Sequence, residues 1–330
     1  MESKHHVRLS DIALELGLTA NTVSRALRDK SDIGAETKAL VKQTAERLGY
    51  IPNSIAASLR YGSTSTIAIV FDNLKNPYFM IMADKIHQRL QPRGYASMIF
   101  AGDNGKLETA VLPPIVSRKV DGIVTFLEPS RAVLDILADN SVPIVLVGRR
   151  NADLKLDSVA TDDAKGGYEI GKLLLERGAK NIGYIGAPEE VECSRRRIDG
   201  LRKCLTDHRQ SIKSENIRFM KTPTLKGDLD VLVNNGVDAI FCFNDMMALE
   251  CHALLRERGI RVPEQIRIAG FDDLQKDIFL PIRVTTVTSD KDAIIDAAVG
   301  MLMRRIESHD PVSDPRFVDF DVAIVRGETT

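Results

Sequence analysis

The chain of 330 residues contains no tryptophan and no marked excess of either charge, its formal net charge being −1. A balance this close to zero identifies neither a nucleic-acid nor a membrane partner by itself. Nowhere do about 18 consecutive apolar residues occur, which is the length a membrane helix needs. The opening MESKHHVRLSD also lacks the apolar stretch of a signal peptide. We therefore expect no membrane span and a cytoplasmic location.

Catalytic and metal-binding motifs are absent as well. The sequence has no Walker loop, GxGxxG, GxSxG nucleophile elbow or HExxH pattern. None of the histidines has a carboxylate or cysteine at a catalytic spacing; they are His5, His6, His87, His208, His252 and His309. The cysteines lack the spacing of metal ligands and are expected to be reduced and mostly buried; they are Cys193, Cys204, Cys242 and Cys251. We predict neither an enzyme nor a resident metal or cofactor.

What the sequence does contain begins with a pattern of three short helices. Ser10 is a suitable cap for the first, and Gly17 is expected to end it in the left-handed conformation. Thr19 can cap the second helix after a tight turn. The third is expected over about residues 35–48, with Leu40 among its inward-facing side chains. Such a helix–turn–helix presents its second helix to the outside.

From residue 66 onward short apolar runs alternate with amphipathic helical segments. The runs are TIAIVFD, ASMIFA, DGIVTF, PIVLVG, NIGYIG, IRFMK, DAIFCF and IRIAGFDD. Short, nearly continuous apolar runs are typical of buried parallel strands. Strands that alternate with helices predict a doubly wound α/β fold, and this many strands suit two sheets better than one.

These patterns divide the chain into three parts. We expect residues 1–52 to form the helical head, residues 53–64 a short helix and linker, and residues 65–330 the α/β core. Within the core we predict a first lobe of about residues 65–161 plus 290–316. The second lobe is predicted over about residues 162–289 plus 317–330, with DSVATDD as the link between the lobes.

Several segments together resemble the LacI/GalR family of bacterial transcriptional repressors along nearly the whole chain. In the head they are LSDIALELGLTANTVSRAL and the spaced set TVSRAL, LGYIPN and ASLR. In the core they are NPYF, VDGIV, VPIVLVGR, RRRIDGL, FCFNDMMAL and IAGFDD. The resemblance implies a helix–turn–helix head, a hinge helix and a core like that of periplasmic sugar-binding proteins. It also implies a homodimer whose affinity for DNA changes when a small ligand binds.

By this resemblance the second helix reads DNA in the major groove. Ala20 and Asn21 are expected to contact bases, and Arg25 a base or a phosphate. Asparagine can pair with adenine and arginine with guanine, whereas Ala20 offers only an apolar contact. Phosphate contacts are expected from Thr19, Thr22, Ser24 and Arg28. Arg28 departs from the small amide common in the family. The structural alternative is a solvated helix face with ordinary caps.

The segment YIPNSIAASLR resembles the hinge helix of the family. Asn53 is among the expected DNA contacts, and Ala56 is small enough for two such helices to pack closely in a dimer. Leu59 matches the position that inserts into the minor groove and bends the duplex. A helix this short is marginal in water, so we expect its folding to be linked to DNA binding.

The candidate effector contacts follow the predicted strands, where ligands of open α/β sheets bind. They are Tyr78, Phe79, Arg149, Arg197, Asn244 and Asp272. Arg197, Asn244 and Asp272 can each pair with adjacent hydroxyls of a sugar. Asp245 is expected to cap a helix instead of contacting the ligand. Arg149 favours an anionic ligand such as a sugar phosphate or sugar acid, with a solvent-facing side chain as the alternative. The family resemblance also leaves purines or a protein corepressor open as effectors.

The expected partners are therefore a palindromic double-stranded operator, a small effector and a second copy of the chain. One helix–turn–helix head reads only a half-site, so a palindrome requires two heads. The sequence favours an operator-binding regulator in the bacterial cytoplasm, associated with the nucleoid. The alternative is a sugar-binding protein or sensor without specific operator recognition.

Overall fold

The computed structural model describes residues 7–50, 63–72, 74–102, 105–149, 154–220, 225–310 and 314–330. By contacts the chain forms two compact units, Met1–Thr64 and Ser65–Thr330. The expected hinge contacts Asn53, Ala56 and Leu59 lie outside the described residues.

The head is a bundle of three helices around a small apolar core. The helices are α1 (Leu9–Leu16), α2 (Ala20–Leu27) and α3 (Ala35–Leu48). Each contributes a pair of buried side chains: Ile12 and Ala13, Val23 and Ala26, Val41 and Ala45. Gly17 and Gly49 end α1 and α3 with φ of 64° and 69°, values that a side chain would disfavour. The three predicted helices are present in this order.

Two expectations about the head were wrong in detail. The cap of α1 is Arg8, whose backbone N–H donates to the Asp11 carboxylate at 2.7 Å, and Ser10 lies within the helix. The Asp11 carboxylate in the first turn thus accepts from the backbone N–H of the cap residue, as the acidic residue of a capping box does. Leu40 is 48% exposed, because Val41 and Thr44 occupy the inward face of α3.

The core contains two separate parallel sheets, each covered by helices on both faces. The first sheet has the order β13–β7–β6–β4–β1–β2 and the second the order β11–β10–β8–β9. The strands of the first sheet are β1 (Thr66–Phe71), β2 (Ala96–Ala101), β4 (Gly122–Thr125), β6 (Ile144–Val147), β7 (Asp157–Thr161) and β13 (Phe317–Phe320). Those of the second are β8 (Ile182–Gly186), β9 (Ile217–Phe219), β10 (Ala239–Cys242) and β11 (Arg267–Ala269). The eight predicted strands are all confirmed, as is the doubly wound fold.

Two short sheets complete the core. Strands β3 (Lys106–Leu107) and β5 (Glu128–Pro129) pair in parallel, whereas β12 (Thr286–Ser289) and β14 (Val322–Val325) pair antiparallel. The core helices are α4 (Pro77–Leu90), α5 (Leu112–Val116), α6 (Arg131–Asp139), α7 (Asp163–Glu176), α8 (Glu192–Asp207), α9 (Leu225–Asn234), α10 (Asp245–Glu257) and α11 (Lys291–Ser308).

Apolar clusters show which helices belong to which sheet. Helices α4 and α11 pack on one face of the first sheet, and α5 and α6 on the other. Helices α7 and α8 pack on one face of the second sheet, and α9 and α10 on the other. We call the first sheet with its helices lobe 1 and the second sheet with its helices lobe 2.

The predicted division of the core is wrong at one segment, and the predicted link between the lobes is itself a strand. The segment DSVAT, read as a link, is strand β7 and pairs with β6 and β13 in lobe 1. Phe317–Phe320, expected in lobe 2, is strand β13 of lobe 1, and only β14 after it belongs with lobe 2. The run FVDFDVAIV contains two strands separated by one residue, Asp321, so its sequence pattern gives no sign of the crossing.

Glycines allow α7 and α8 to cross at very short range. A Cβ at Gly167 would overlap the carbonyl of Arg197, and one at Gly200 would overlap the carbonyl of Ala164. Backbone atoms cannot move aside as a flexible side chain could. This crossing holds Asp163 at the start of α7 beside Arg197 of α8.

We therefore expect Gly167→Ala to destabilise the protein by about 1–3 kcal/mol through forced separation of the two helices. The matched control is Gly300→Ala, at an exposed position of α11 with nothing within 4 Å of the new Cβ. Gly300→Ala should raise the free energy of unfolding by about 0.5–1 kcal/mol, because alanine loses less backbone entropy than glycine on folding. Urea unfolding followed by circular dichroism measures both; equal effects of the two substitutions would contradict the close-packing account.

Candidate functional site

A cavity of about 350 Å³ lies between the two lobes at the carboxyl ends of their strands. All six expected effector contacts line it, which are Tyr78, Phe79, Arg149, Arg197, Asn244 and Asp272. Parallel strands in each lobe end at the same edge, so residues far apart in sequence meet there. Whether these side chains bind a ligand remains a prediction.

The lobe 1 wall of the cavity is aromatic. Asn76 accepts a hydrogen bond from Tyr78 N at 3.0 Å and, with Pro77 at the first helical position, starts α4 directly after β1. The rings of Tyr78 and Phe79 are 5.7 Å apart, and Phe126 at the end of β4 is 5.7 Å from Phe79. Burial raises the pKa of Tyr78, so its hydroxyl is a neutral donor and acceptor at any physiological pH. The wall suits the apolar face of a flat ligand.

Arg197 forms the centre of the lobe 2 wall and is already paired. Its Nε donates to Asp163 Oδ1 at 2.8 Å, and another N–H donates to the Phe243 carbonyl. The guanidinium carbon lies 3.5 Å from the centre of the Phe271 ring. Burial lowers the pKa of Arg197, but the surrounding negative groups, Asp163 first and Asp272 among the others, together outweigh it and the net shift is upward. Arg197 is thus a cation held in one position, and the Asp163 carboxylate compensates its charge.

Asp272 is a buried carboxylate of the cavity whose charge the described residues compensate only in part. Its nearest cationic atom is Arg197 Nη2 at 3.9 Å, and no described residue donates a hydrogen bond to its side chain. Burial raises the pKa of Asp272 to about 7, against the opposing charges of Arg197 and Lys291. Its φ of 106° is a strained backbone value for a residue with a side chain. Strain and an uncompensated carboxylate at one residue are typical of binding sites.

Asn244 lines the cavity as expected, but it is also the cap of α10, a role expected of Asp245. Asn244 caps α10, its Oδ1 accepting from Met247 N at 2.9 Å, so only its amide nitrogen remains as a donor toward the cavity. Asp245 is not the cap. Its buried carboxylate accepts from Leu274 N at 2.8 Å and from the Thr286 hydroxyl, and burial with the nearby Asp272 charge raises its pKa to about 8. Asp245 therefore holds the loop that carries Asp272.

Arg149 reaches the cavity from the end of β6. Its Nε donates to the Phe126 carbonyl at 3.1 Å, and its guanidinium lies against Gly105, whose N–H donates to Asp72. Within the described ranges no carboxylate lies within 4 Å of this guanidinium, in contrast to Arg197. The side chain is half-buried instead of fully solvated. A positive charge in a partly closed cavity favours an anionic or strongly polar ligand group.

Several residues that line the cavity were not predicted from the sequence. Phe126, Phe243 and Phe271 each end or follow a strand, so the strand-end rule that selected Asp272 would also have selected them. Asp163 gave no such signal, because it begins a helix 34 residues before Arg197 and meets it only through the α7–α8 crossing.

The exposed start of α2 is the second candidate site. Thr19 caps the helix through Thr22 N at 3.1 Å, and Thr19, Ala20 and Asn21 are exposed. Arg28 folds back on its own helix, donating to the Ser24 carbonyl at 2.9 Å and to the Ser24 hydroxyl at 3.0 Å. Arg25 pairs with Asp32 in the following turn. The expected DNA-contacting side chains of α2 thus extend from its N-cap, Thr19, to its C-cap, Arg28, and all are exposed or half-buried.

The described residues show no metal cluster and no membrane-spanning helix. Among the described residues no group of three His, Cys, Asp or Glu is placed to hold a metal ion. No helix there is both long and apolar enough to cross a bilayer. The four cysteines are buried free thiols.

Comparisons with known proteins identify the families of the head and of the core. Residues 8–53 match the bacterial regulatory proteins of the lacI family, and residues 172–330 match the periplasmic binding protein-like domain. The chain is 32% identical over 271 residues to the HTH-type transcriptional regulator DegA of Bacillus subtilis, covering 80% of each protein. It is 28% identical over 306 residues to the HTH-type transcriptional repressor PurR of Pasteurella multocida, covering 90% of this chain and 91% of PurR.

Solved structures show the same fold. A lac repressor dimer bound to operator and an anti-inducer matches with a TM-score of 0.81 at 21% identity, over 99% of both chains. A complex of the transcriptional regulator CelR with cellobiose matches with a TM-score of 0.71 at 22% identity, over 98% of this chain and 100% of CelR. Together, the matches to the head and the core and the similarity to DegA show that the chain belongs to the LacI family of bacterial transcriptional regulators.

Proposed function

We propose that the protein binds a palindromic operator and that a small effector in the cavity between the lobes controls this binding, most simply as a repressor. The observation that carries the proposal is the presence, in one chain, of an exposed polar helix start on the head and a polar, aromatic-walled cavity in the core. A regulator of this kind acts in the bacterial cytoplasm at the nucleoid and needs no catalytic group.

The DNA contacts are assigned by the position of each side chain on α2. Ala20 and Asn21 at the exposed helix start would read bases, and Arg25 a base one turn later. Thr19 and Thr22 would contact phosphates, as would Ser24 and Arg28. For Arg28 this requires release of its bonds to Ser24. Asn53, Ala56 and Leu59 remain predicted contacts of the hinge.

The effector is proposed to be a sugar or sugar derivative. Asp272 would accept hydrogen bonds from hydroxyls, and Arg197 and Asn244 would donate to them. The rings of Tyr78 and Phe79 would pack on the apolar face of the sugar. Arg149 favours a phosphorylated sugar, because no carboxylate of the described chain neutralises it. Fold neighbours solved with cellobiose or ribose support a sugar in such a cavity.

The proposed dimer uses the free edge of the first sheet. Strand β2 is an edge strand, yet Met98 and Ile99 on it are 36% and 46% exposed. Met80 on α4 is also exposed. Apolar side chains on an unpaired edge are a liability in a monomer, so this edge is expected to be covered.

Operator selection from random duplexes tests the function. The full chain should enrich a palindromic consensus, and Asn21→Ala should lose about 10–100-fold of its preference at one position per half-site while keeping the others. Hexoses and hexose phosphates are then added to see which changes operator binding. The contrary result is that no consensus is enriched and that the affinity for every duplex falls steeply with salt. It would favour a sugar-binding protein without specific operator recognition.

The role of Asp272 predicts an unusual dependence of stability on pH. Because its folded pKa is raised, the stability it contributes is complete below the unfolded pKa and is lost as pH rises through about 7. Asp272→Asn removes this loss, so the variant should be more stable than wild type by about 1–2 kcal/mol above pH 8 and similar to it near pH 4. It should also lose the effector response.

Thermal unfolding across this pH range and operator binding with effector measure the two effects. The control is Asp199→Asn, at an exposed carboxylate of α8 paired with Arg202, which should change neither. Loss of stability in Asp272→Asn at alkaline pH would show that the carboxylate supports the fold instead of the ligand.

For the dimer, sedimentation velocity of wild type should give twice the monomer mass of 36.5 kDa. Ile99→Lys should give the monomer mass and an operator affinity lower by at least ~100-fold, since each head then binds alone. Ile136→Lys, at a 36% exposed position on α6, is the control and should remain dimeric. A dimeric Ile99→Lys variant would move the interface away from β2.

A further inference from the structure

Arg25 and Asp32 form an ion pair between α2 and the turn that follows it. Arg25 Nε donates to Asp32 Oδ2 at 2.8 Å, and Arg25 Nη2 lies 2.6 Å from the same oxygen. One edge of the guanidinium is thus held by two short contacts. The hydrogen bond from Arg25 is the main cause that lowers the pKa of Asp32, so this carboxylate is ionised at neutral pH.

The pair contributes little to holding the head together. The two side chains are 41% and 51% exposed, and exposed ion pairs are weak because water and salt screen them. Helix α2 is anchored instead by Val23 and Ala26, which are fully buried. What the contact does fix is the direction of the Arg25 side chain.

Direction is what an arginine needs in order to read a base. A guanidinium discriminates guanine by two parallel N–H bonds, which requires its plane to lie edge-on to the base. A free arginine side chain has many rotamers, and fixing one of them on binding costs entropy. A carboxylate that fixes the side chain before the encounter removes part of that cost.

The same turn contains a second pair of the same kind. Lys42 Nζ lies 2.7 Å from Asp29 Oδ2. Lys42 is on α3 and its ammonium cannot make the planar paired contact of a guanidinium. Asp29 therefore matches Asp32 in charge, exposure and position in the chain, but not in its partner.

We propose that Asp32 is a positioning residue for DNA reading, which holds the Arg25 guanidinium in the orientation that recognises one base pair in each half-site. The inference rests on the proposed operator binding. Asp32 itself contacts no base, and it determines specificity at that base pair only through Arg25.

The test uses the full chain and its selected operator. Arg25→Ala first identifies the base pair that Arg25 reads, as the position where its preference disappears. Asp32→Asn should lower the preference at that same base pair about five- to tenfold and leave the other positions unchanged. Asp29→Asn should leave every position within about twofold, although it removes the same charge from the same turn.

Two further variants separate positioning from folding. Asp32→Glu keeps the carboxylate and should recover most of the preference. Arg25→Ala combined with Asp32→Asn should match Arg25→Ala alone, because Asp32 has no route to the base without Arg25. All variants should unfold at the wild-type temperature.

The outcomes distinguish the inference from the function beneath it. If wild type selects no consensus, the proposed operator recognition fails and the inference with it. If wild type selects a consensus but Asp32→Asn behaves like Asp29→Asn, only the positioning role is overturned. The same holds if Arg25→Ala changes no base preference.

Discussion

The buried ion pair between Arg197 and Asp163 organises the lobe 2 side of the cavity. An unpaired charge at this depth costs several kcal/mol, so each partner requires the other. The pair also ties together four elements, since Arg197 is on α8, Asp163 begins α7, and the guanidinium contacts Phe243 after β10 and Phe271 after β11. The geometry of this wall depends on the glycines that let α7 and α8 approach.

One consequence concerns charge. Arg197 pairs directly with Asp163 at 2.8 Å. Its positive charge therefore compensates the charge of Asp272, which lies 3.9 Å away, only in part. The cavity therefore keeps an acceptor on one side and, through Arg149, a cation on the other. A ligand with hydroxyls and an anionic group would satisfy both ends, whereas a purely apolar ligand would leave both desolvated.

Much of the cavity could be predicted from sequence because strand ends have a recognisable pattern. Apolar runs followed by polar residues placed Arg149, Asn244 and Asp272 around one site. The predictions that failed concern features that depend on the register of a single residue or on a tertiary contact. Asn244 and Asp245 are adjacent and both are good caps, so composition could not decide which one starts α10. The partner of Arg197 could not be found either, because only the packing of two helices brings Asp163 to it.

The topology of the core has a consequence for the order in which the chain folds during its synthesis. Strand β13 completes the sheet of lobe 1 and β14 pairs with β12 beside lobe 2, yet both follow residue 316. Neither lobe can thus reach its final structure on the ribosome until nearly the whole core has been synthesised. The head, whose three described helices pack on one another within residues 9–48, can fold long before that. A nascent chain would then carry a folded DNA-binding head before any folded core exists to restrain it.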